Sequence, residues 1–454
     1  MREKKSIDMT KGPLVGPLIR FILPLIGGSI FQQLYNTVDF MFVGNLLDKT
    51  AAAAVGASST LITCIIGLFS GIAVGTSVVA AQAIGAKDRE RAEKALHSSV
   101  TFGIIGGLIL MILGMLFSPH ILKILRTPEE VMPQAVVYIR IYLISVPMLI
   151  FYNMVSGGMR AYGNSRSPFI VLVICGFLNV AMDALFLVVF PLGVAGVAIA
   201  TAISQGASAF LVWYLASRPE LPLRLSLRKL GVSGGILRQV LRIGLPTGVQ
   251  TIIITFSNVM VQYYINDLGE TAVAAFATYY KVENFIYLPI MAFGQAATTF
   301  AGQNTGAGNY HRILRGTVVT TIISAAVVAC LAGAVLAFPR TVFTWFMKDA
   351  DVVTHALMIA TVTYPLYWIY PILEVTGASI RGMGYSISSM IVIIANLCVL
   401  RVSLLAVFSR VYHTLPAIGS VYPITWAGAA VCFVVIFSVI IRKKIKASDQ
   451  LQNA

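Results

Sequence analysis

Charged residues are distributed along the chain so that long apolar runs separate them. Twelve stretches of at least 16 residues contain no Asp, Glu, Lys or Arg, and they lie at 21–38, 50–86, 95–122, 141–159, 167–182, 184–217, 243–266, 284–311, 316–339, 352–373, 382–400 and 411–441. A membrane-spanning helix needs roughly 20 mainly apolar residues. The pattern therefore predicts an all-α polytopic membrane protein with twelve transmembrane helices. We place these spans at about 18–44, 53–84, 96–117, 134–158, 168–190, 192–216, 238–265, 272–304, 314–339, 354–377, 386–409 and 418–441.

Composition and charge support this interpretation. Of the 454 residues, 57% are hydrophobic and only 11% are charged, whereas an average soluble domain carries about 25% charged residues. A net charge of +15 would suggest nucleic acid in a soluble protein, but lysine and arginine also collect on the inner side of membrane proteins. With a cytoplasmic N-terminus and twelve crossings, 24 of the 33 basic residues fall inside. We therefore expect both termini in the cytoplasm, a multi-pass protein of the inner (plasma) membrane, and no nucleic-acid partner.

The two halves of the chain resemble each other at an offset of about 221 residues. The matching positions are Pro24 with Pro246, Asn36 with Asn258, Gln82 with Gln303, Gly85 with Gly306, and Arg160 with Arg381. We predict an N-terminal six-helix lobe at 1–217, a cytoplasmic linker at 218–237, and a C-terminal six-helix lobe with a basic tail at 238–454. Because each half crosses the membrane an even number of times, the repeats are parallel, and such an arrangement places a substrate cleft between the halves.

The sequence carries no motif for catalysis or for nucleotide hydrolysis. It has no G-x-x-x-x-G-K-[ST] loop to hold ATP phosphates and no H-E-x-x-H metalloprotease motif. We therefore expect no enzyme activity and no cofactor. Any pumping must then draw on an ion gradient.

Ionisable groups at membrane depth are costly and usually mark ion or substrate paths. Asp39 on span one and Asp183 on span five lie about 8–11 Å below the same predicted surface, at 1.5 Å per residue. Asn36 shares a helix face with Asp39, Asn179 shares one with Asp183, and Thr201 on span six reaches a similar depth. Carboxylates, carboxamide oxygens and a hydroxyl at one level suit a proton or a hard cation. The alternative is that each acid only forms local hydrogen bonds near a helix end.

The second half carries a different set of polar groups. Span seven has Asn258, span eight has Glu283, and span ten has Glu374. We interpret these residues, with Tyr35 and Tyr367, as lining a substrate cavity, where aromatic rings hold planar cations by cation–π contact. A purely structural role for the two glutamates stays open at this point.

At this point several stretches resemble the multidrug and toxic compound extrusion (MATE) family. The segments are NTVDFMFVG before residue 45, AVGTSVVAAQAIGAKD at 73–88, GGMRAYGNSRSP at 157–168, FLNVAMDALF at 177–186, GLPTGVQ at 244–250 and FAGQNTGAGNYHR at 300–312. The resemblance covers residues 14–441 and is greatest to the DinF-like branch. It implies a secondary active multidrug efflux antiporter that exports organic, cationic compounds in exchange for H⁺ or Na⁺ by alternating access.

The resemblance also implies roles for individual residues. Asp39, Asn179, Asp183 and Thr201 look like the N-lobe cation site of the DinF-like branch, with Asn36 beside them, and the same four would hold Na⁺ if sodium were the coupling ion. A NorM-like acid on span seven is replaced here by Asn258. The partners implied are drug-like small molecules and the lipid bilayer, with the protein acting as a monomer. The alternative function is a lipid-linked precursor flippase of the same superfamily.

Overall fold

The structure is a computed structural model that describes residues 7–124, 126–219, 221 and 223–453, and in these ranges it contains helices and no β-strand. The first six helices are α1 (Val15–Leu46), α2 (Lys49–Gly85), α3 (Arg89–Ile124), α4 (Met132–Ala161), α5 (Arg166–Ala184) and α6 (Val194–Ala216). The others are α7 (Gly234–Asn266), α8 (Glu270–Gly306), α9 (Tyr310–Ala337), α10 (Pro339–Thr344), α11 (Ala350–Thr363), α12 (Ile369–Gly382), α13 (Ser386–Ile393), α14 (Arg401–Val411) and α15 (Leu415–Asn453). The all-α polytopic fold predicted from the sequence is confirmed.

Among the residues that the structure describes, the predicted twelve spans correspond to eleven long apolar helical segments and one broken span. The broken span joins α11 to α12 with a bend of 56°, and the short 3₁₀ turn Tyr364–Leu366 lies at the break. Pro365 lies in this turn, and proline removes a helical hydrogen bond and crowds the preceding turn. Two other spans contain a π-helical segment, Leu185–Val189 after α5 and Ile394–Leu400 between α13 and α14.

The chain divides into two compact units, each with its own apolar core. The first comprises Met1–Asp8 and Leu23–Gly248, and the second comprises Met9–Ile22 and Val249–Ala454. The last boundary between the units along the chain falls inside α7, and the connection 218–237 belongs to the first unit. The physical reason is that backbone N–H groups of this connection donate to side chains of α3, as described below, so that it packs as part of the first unit.

Close helix packing at glycines fixes the start of α7 in the first unit. A Cβ on Gly71 of α2 would lie 2.1 Å from the Gly248 nitrogen, and one on Gly75 would lie 2.3 Å from the carbonyl oxygen of Val240. A Cβ on Gly244 would likewise come within 2.6 Å of the Ile72 Cα. Small residues allow membrane helices to approach until their backbones touch, and here the two backbones are in contact.

We expect Gly71→Ala to destabilise the first unit, because the added methyl group meets backbone atoms that cannot rotate away. Overpacking of this kind costs about 1–3 kcal/mol. Gly56→Ala on the same helix is the matched control, because no atom lies within 4 Å of its added Cβ. Thermal unfolding in detergent should show a lower Tm for Gly71→Ala only. Equal melting of both variants would contradict a tight α2–α7 contact.

The outer faces of the helices are apolar, as lipid contact requires. On α3, the exposed side chains Leu108, Ile112 and Leu116 follow one another one helical turn apart and are 42%, 53% and 63% exposed. A stripe of this kind would be an aggregation hazard in water, whereas in a bilayer it faces hydrocarbon. Polar side chains of the candidate site, such as Asn179 and Asp183, are instead buried between packed helices.

Candidate functional site

The first unit brings two carboxyl groups together inside the span region. Asp39 lies on α1, while Asn179 and Asp183 lie four residues apart on one face of α5. The Asp39 and Asp183 carboxyl groups are within hydrogen-bonding reach of each other. With its carboxamide nitrogen facing α1, Asn179 lies 3.1 Å from both carboxylate oxygens of Asp39. Three of the five residues predicted for ion coupling are therefore neighbours in space.

The two acids differ in their surroundings. Asp39 is half-buried and can accept the Asn179 N–H groups, whereas Asp183 is 0% exposed. Among the described residues, neither Asp183 oxygen has an N–H or O–H donor. A buried ionised carboxylate without donors is costly, so a proton held by Asp183 and donated to Asp39 stabilises the pair. Two carboxyl groups at this distance can share one proton.

The close approach of α1 and α5 depends on a glycine. A Cβ on Gly176 would lie 2.4 Å from Cε1 of Phe31 and 3.2 Å from Cδ1 of Tyr35. The rings of Phe31 and Tyr35 therefore lie against the α5 backbone, where a larger side chain would push α1 away. Tyr35, predicted to line a substrate cavity, is a half-buried residue of this α1–α5 contact. The π-helical segment Leu185–Val189 begins two residues after Asp183, and π segments are frequent at functional sites.

Tyr138 of α4 is a site residue that the sequence analysis missed. It lies close enough to interact electrostatically with both Asp39 and Asp183, and its side chain is only 7% exposed. It belongs to a small apolar cluster with Val43 and Leu187 near the two acids. No pattern in the sequence distinguishes Tyr138, because aromatic residues occur on every predicted span.

Two of the predicted coupling residues are not joined to the acid pair by hydrogen bonds among the described residues. Thr201 is half-buried, and its hydroxyl donates to the Val197 carbonyl at a distance of 3.0 Å, as helical threonines often do. Asn36 is exposed. Their roles in coupling stay predictions that rest on depth and helix face alone.

The second unit buries Glu283 among aromatic residues. The Tyr367 hydroxyl donates to Glu283 Oε1 at 2.9 Å, and the two residues are 7% and 1% exposed. Arg401 lies close enough to interact electrostatically with this carboxylate. Its guanidinium lies over the Tyr422 ring at 4.7 Å and contacts the Thr425 hydroxyl at 3.3 Å. Glu283 and Tyr367, predicted as cavity residues, are thus core residues in this conformation.

Glu374 is ion-paired within its own helix. Its Oε1 accepts from the Arg381 guanidinium at 2.7 Å, and the two side chains are 11% and 12% exposed. Room for this carboxylate comes from Gly294 of α8, where a Cβ would lie 2.5 Å from Glu374 Oε1. Asn258 is half-buried on α7, without a hydrogen bond from its side chain among the described residues. A substrate role for Glu374 would require exchange of a contact that it already has.

A metal site built from charged ligands is not present in the part of the chain that the structure describes, because no three His, Cys, Asp or Glu side chains gather there. A sodium ion at the acid pair would need neutral oxygens as further ligands. The Asn179 carboxamide faces Asp39 and can present either its nitrogen or its oxygen, and the Thr201 hydroxyl donates to the Val197 carbonyl of its own helix.

The family model MatE matches the chain twice, at residues 24–185 and 246–407. The two matches are offset by 222 residues and confirm the predicted duplication. The chain is similar to the probable multidrug resistance proteins YpnP and YoeA of Bacillus subtilis (strain 168). YpnP is 28% identical over 415 residues, which are 89% of this chain and 91% of that protein. YoeA is 26% identical over 422 residues, 91% of this chain and 90% of that protein.

A further relative and several solved structures cover the chain at lower identity. The multidrug export protein MepA of Staphylococcus aureus (strain MSSA476) is 23% identical over 395 residues, 86% of this chain and 84% of that protein. A crystal structure of MATE in complex with MaL6 has a TM-score of 0.92 at 23% identity and covers 98% of this chain and 100% of that one. A crystal structure of MATE in the bent conformation has a TM-score of 0.91 at 23% identity, covering 99% and 100%. At this identity the structures establish the fold.

Proposed function

We propose that this chain, which belongs to the MatE family of membrane transporters, is a multidrug exporter driven by an ion gradient. The protein is a multi-pass protein of the cell membrane, and its curated relatives YoeA, YpnP and MepA carry names that refer to multidrug resistance or export. The observation that carries the proposal is the pairing of half-buried Asp39 with fully buried Asp183, whose oxygens have no N–H or O–H donor among the described residues, because such a carboxylate at membrane depth marks an ion path. The substrates we propose are organic cations, exchanged for protons by a monomer that acts as a transporter and not as an enzyme.

Orientation follows from the distribution of basic residues. With the N-terminus inside, the connections that contain Lys87 to Lys94, Arg218 to Arg242 and Arg442 to Lys446 all face the cytoplasm. We propose this orientation, which places the acid pair nearer the external surface. Protons entering from outside then reach Asp39 and Asp183 from the outer side.

Coupling arises because the unprotonated and the protonated forms of the Asp39–Asp183 pair favour different states of the transporter. Without a proton, Asp39 and Asp183 repel each other, and an organic cation bound nearby relieves the repulsion. Protonation of Asp183 removes that benefit, so the drug is bound less tightly. A ligand shifts a conformational equilibrium only by its differential affinity for the two states. Proton and drug thus each favour one state of the transporter, and their exchange drives export.

A transport assay with separately imposed gradients tests this proposal. Ethidium is supplied in the medium outside everted vesicles, where the cytoplasmic face of the protein is exposed, and either a proton gradient or a sodium gradient with the higher concentration in the lumen is applied alone. We expect the proton gradient to drive ethidium movement and the sodium gradient to have no effect. Transport driven by sodium alone would contradict the proton assignment, and transport under neither gradient would contradict ion-coupled export.

The flippase alternative receives less support from the second unit. A flippase would need basic side chains available for a pyrophosphate group. Arg381 is already paired with Glu374, and Arg401 is held by Thr425 and the Tyr422 ring. Such engaged cations are poorly placed to bind another anion. Export of drug-like compounds remains the function that the site supports best.

We also propose that Glu374 takes part in drug selection, and Glu374→Gln should test this. Export of cationic drugs should fall roughly tenfold relative to neutral ones, as expected for loss of one contact worth about 1.4 kcal/mol. The measurement is the ratio of export rates for a cationic and a neutral drug of similar size.

The matched control for this prediction is the double variant Glu374→Gln/Arg381→Gln, which avoids leaving a buried guanidinium unpaired. It should keep the altered ratio. If the double variant restores wild-type preference, or if both drugs are affected equally in the single variant, the carboxylate serves only to neutralise Arg381.

A further inference from the structure

Two short segments lead into the first helix of each repeat, and both are held by side chains. The N-terminal strap, residues 9–12, precedes α1, and the central strap, residues 226–233, precedes α7. Apart from the three-residue 3₁₀ turn Leu227–Lys229, neither strap is helical. Backbone groups outside regular structure need other hydrogen-bond partners, and the identity of those partners shows what holds each strap.

Arg312 of α9 clamps the N-terminal strap. Its Nε donates to the Met9 carbonyl at 2.9 Å, and its two terminal nitrogens donate to the carbonyls of Gly12 at 2.8 Å and Lys11 at 3.0 Å. The same guanidinium lies over the Phe300 ring at 5.8 Å. A planar fork with five donors is suited to several acceptors at once, and lysine cannot reproduce it.

The end of α8 completes the clamp on Met9. The Met9 N–H donates to Gln303 Oε1 at 3.0 Å, and the Asn304 carboxamide donates to the Met9 carbonyl at 3.1 Å. Met9, Gln303 and Asn304 are 0%, 2% and 0% exposed. The QNTGAGNYHR stretch, which is part of one of the segments that resemble the family, therefore contains the residues that hold this strap.

The central strap is held by side chains of α3 that accept from its backbone N–H groups. Its backbone N–H groups at residues 226, 231 and 233 donate to His97 Nε2 at 3.1 Å, Thr101 Oγ1 at 3.0 Å and Ser98 Oγ at 2.9 Å. His97 and Ser98 are buried. Since α3 and α9 are the third helices of their repeats, corresponding helices hold the two straps.

Each strap belongs to a different unit from most of the repeat that follows it. Residues 9–22 pack with the second unit and α1 continues into the first at Leu23, whereas residues up to Gly248 pack with the first unit and α7 continues into the second at Val249. Both changes of unit occur within two residues of a proline, Pro24 in α1 and Pro246 in α7. The base of each helix is thus fixed to one unit, and its remainder belongs to the other.

We propose that each strap anchors the base of the helix that follows it to the unit that does not contain the rest of that helix. Arg312 is then a positioning residue of the transport cycle. By fixing the base of α1, Arg312 ensures that bending at Pro24 displaces the part of the helix that carries Asp39. If the base were free, the same bend would be absorbed by movement of residues 15–22. The transport consequence rests on the proposed function, whereas the anchoring itself does not.

Distance measurements in the full-length protein test the anchor. Spin labels at Gly16 of α1 and Val318 of α9 are used in a background from which the native cysteines have been removed; both positions are exposed. Wild type should give one narrow distance distribution, and Arg312→Gln should broaden it. Arg315→Gln, an exposed arginine one turn further along α9, is the matched control and should leave the distribution narrow. An unchanged distribution in Arg312→Gln would overturn the anchor.

Transport kinetics test the positioning role in the same variants. Arg312→Gln should lower the maximal export rate of ethidium roughly tenfold. The affinity for ethidium should stay at the wild-type value. Arg312→Lys should not restore the rate, because one ammonium cannot serve three carbonyls. If the distances broaden but the rate is unchanged, the strap has no role in the cycle. If even wild type fails to export ethidium, the proposed function fails, and the distance result still decides the anchor.

A second variant guards against misfolding of Arg312→Gln. Thr101→Val removes the α3 hydroxyl that accepts from the Gly231 N–H of the central strap, and it keeps the shape of the side chain. Labels at residues 232 and 105 should then separate more widely than in wild type, with a lower maximal rate. No change in either quantity would overturn the proposal for the central strap.

Discussion

Asp39→Asn and Asp183→Asn should each abolish gradient-driven efflux while leaving the protein folded in the membrane. Either change removes one of the two carboxyl groups that would share the proton, so the pair can no longer alternate between charged and neutral forms. The measurement is ethidium efflux under an imposed proton gradient, with Tm and membrane yield as checks on folding. We expect efflux at the level of vesicles without transporter.

The matched control for this prediction is Asp267→Asn, an exposed aspartate just after α7. It should transport at the wild-type rate. The direction in which drug affinity changes with pH is a further test. Wild type should bind a cationic drug more weakly as pH falls, because protons and drug oppose each other. The Asn variants resemble the protonated state and should bind weakly at all pH values. Efflux near the wild-type rate in either variant would remove that residue from the coupling step.

Pro24→Ala should eliminate the pH-dependent movement of α1 but leave drug binding intact. Pro24 lies inside α1 and cannot donate the helical hydrogen bond to the carbonyl of Arg20. It precedes Asp39 by fifteen residues, roughly 22 Å along the axis. A weak point at that distance converts a small bend into a displacement of several ångströms at Asp39. Alanine restores the hydrogen bond and stiffens the helix.

Labels within the first unit, at Phe40 of α1 and Phe210 of α6, report this movement because both side chains are exposed. Wild type should change its label separation between neutral and acidic pH, and Pro24→Ala should not. Pro119→Ala is the control, since Pro119 also lies inside a span, α3, and is not assigned to the switch. A pH-dependent change that persists unaltered in Pro24→Ala would show that Pro24 is a static kink.

The spans and the main acid pair could be predicted from the sequence because their signals are local. A run without charges fixes a span, and the four-residue spacing of Asn179 and Asp183 fixes a shared helix face. Equal depth from the span ends then suggested that Asp39 lies opposite. In the structure the three side chains lie together. The role of Thr201 still rests on depth alone, because its hydroxyl donates to the Val197 carbonyl of its own helix.

The features of the fold and the site that could not be predicted depend on contacts between residues far apart in the sequence. Nothing local indicates that Tyr367 reaches Glu283, that Arg312 binds the segment before α1, or that the connection before α7 packs on α3. The glycine contacts of α2 with α7 were also invisible, because glycine occurs on most of the predicted spans. Such features require knowledge of which helices are neighbours, and periodicity does not provide that.

The central claim is that Asp39 and Asp183 hold the proton that is exchanged for drug. Its most direct test is the release of protons when ethidium binds to the purified protein in weakly buffered detergent solution, followed with a pH indicator. We expect wild type to release protons on binding and Asp183→Asn to release none. Proton release of wild-type size from Asp183→Asn, or drug binding to wild type without any release, would contradict the claim.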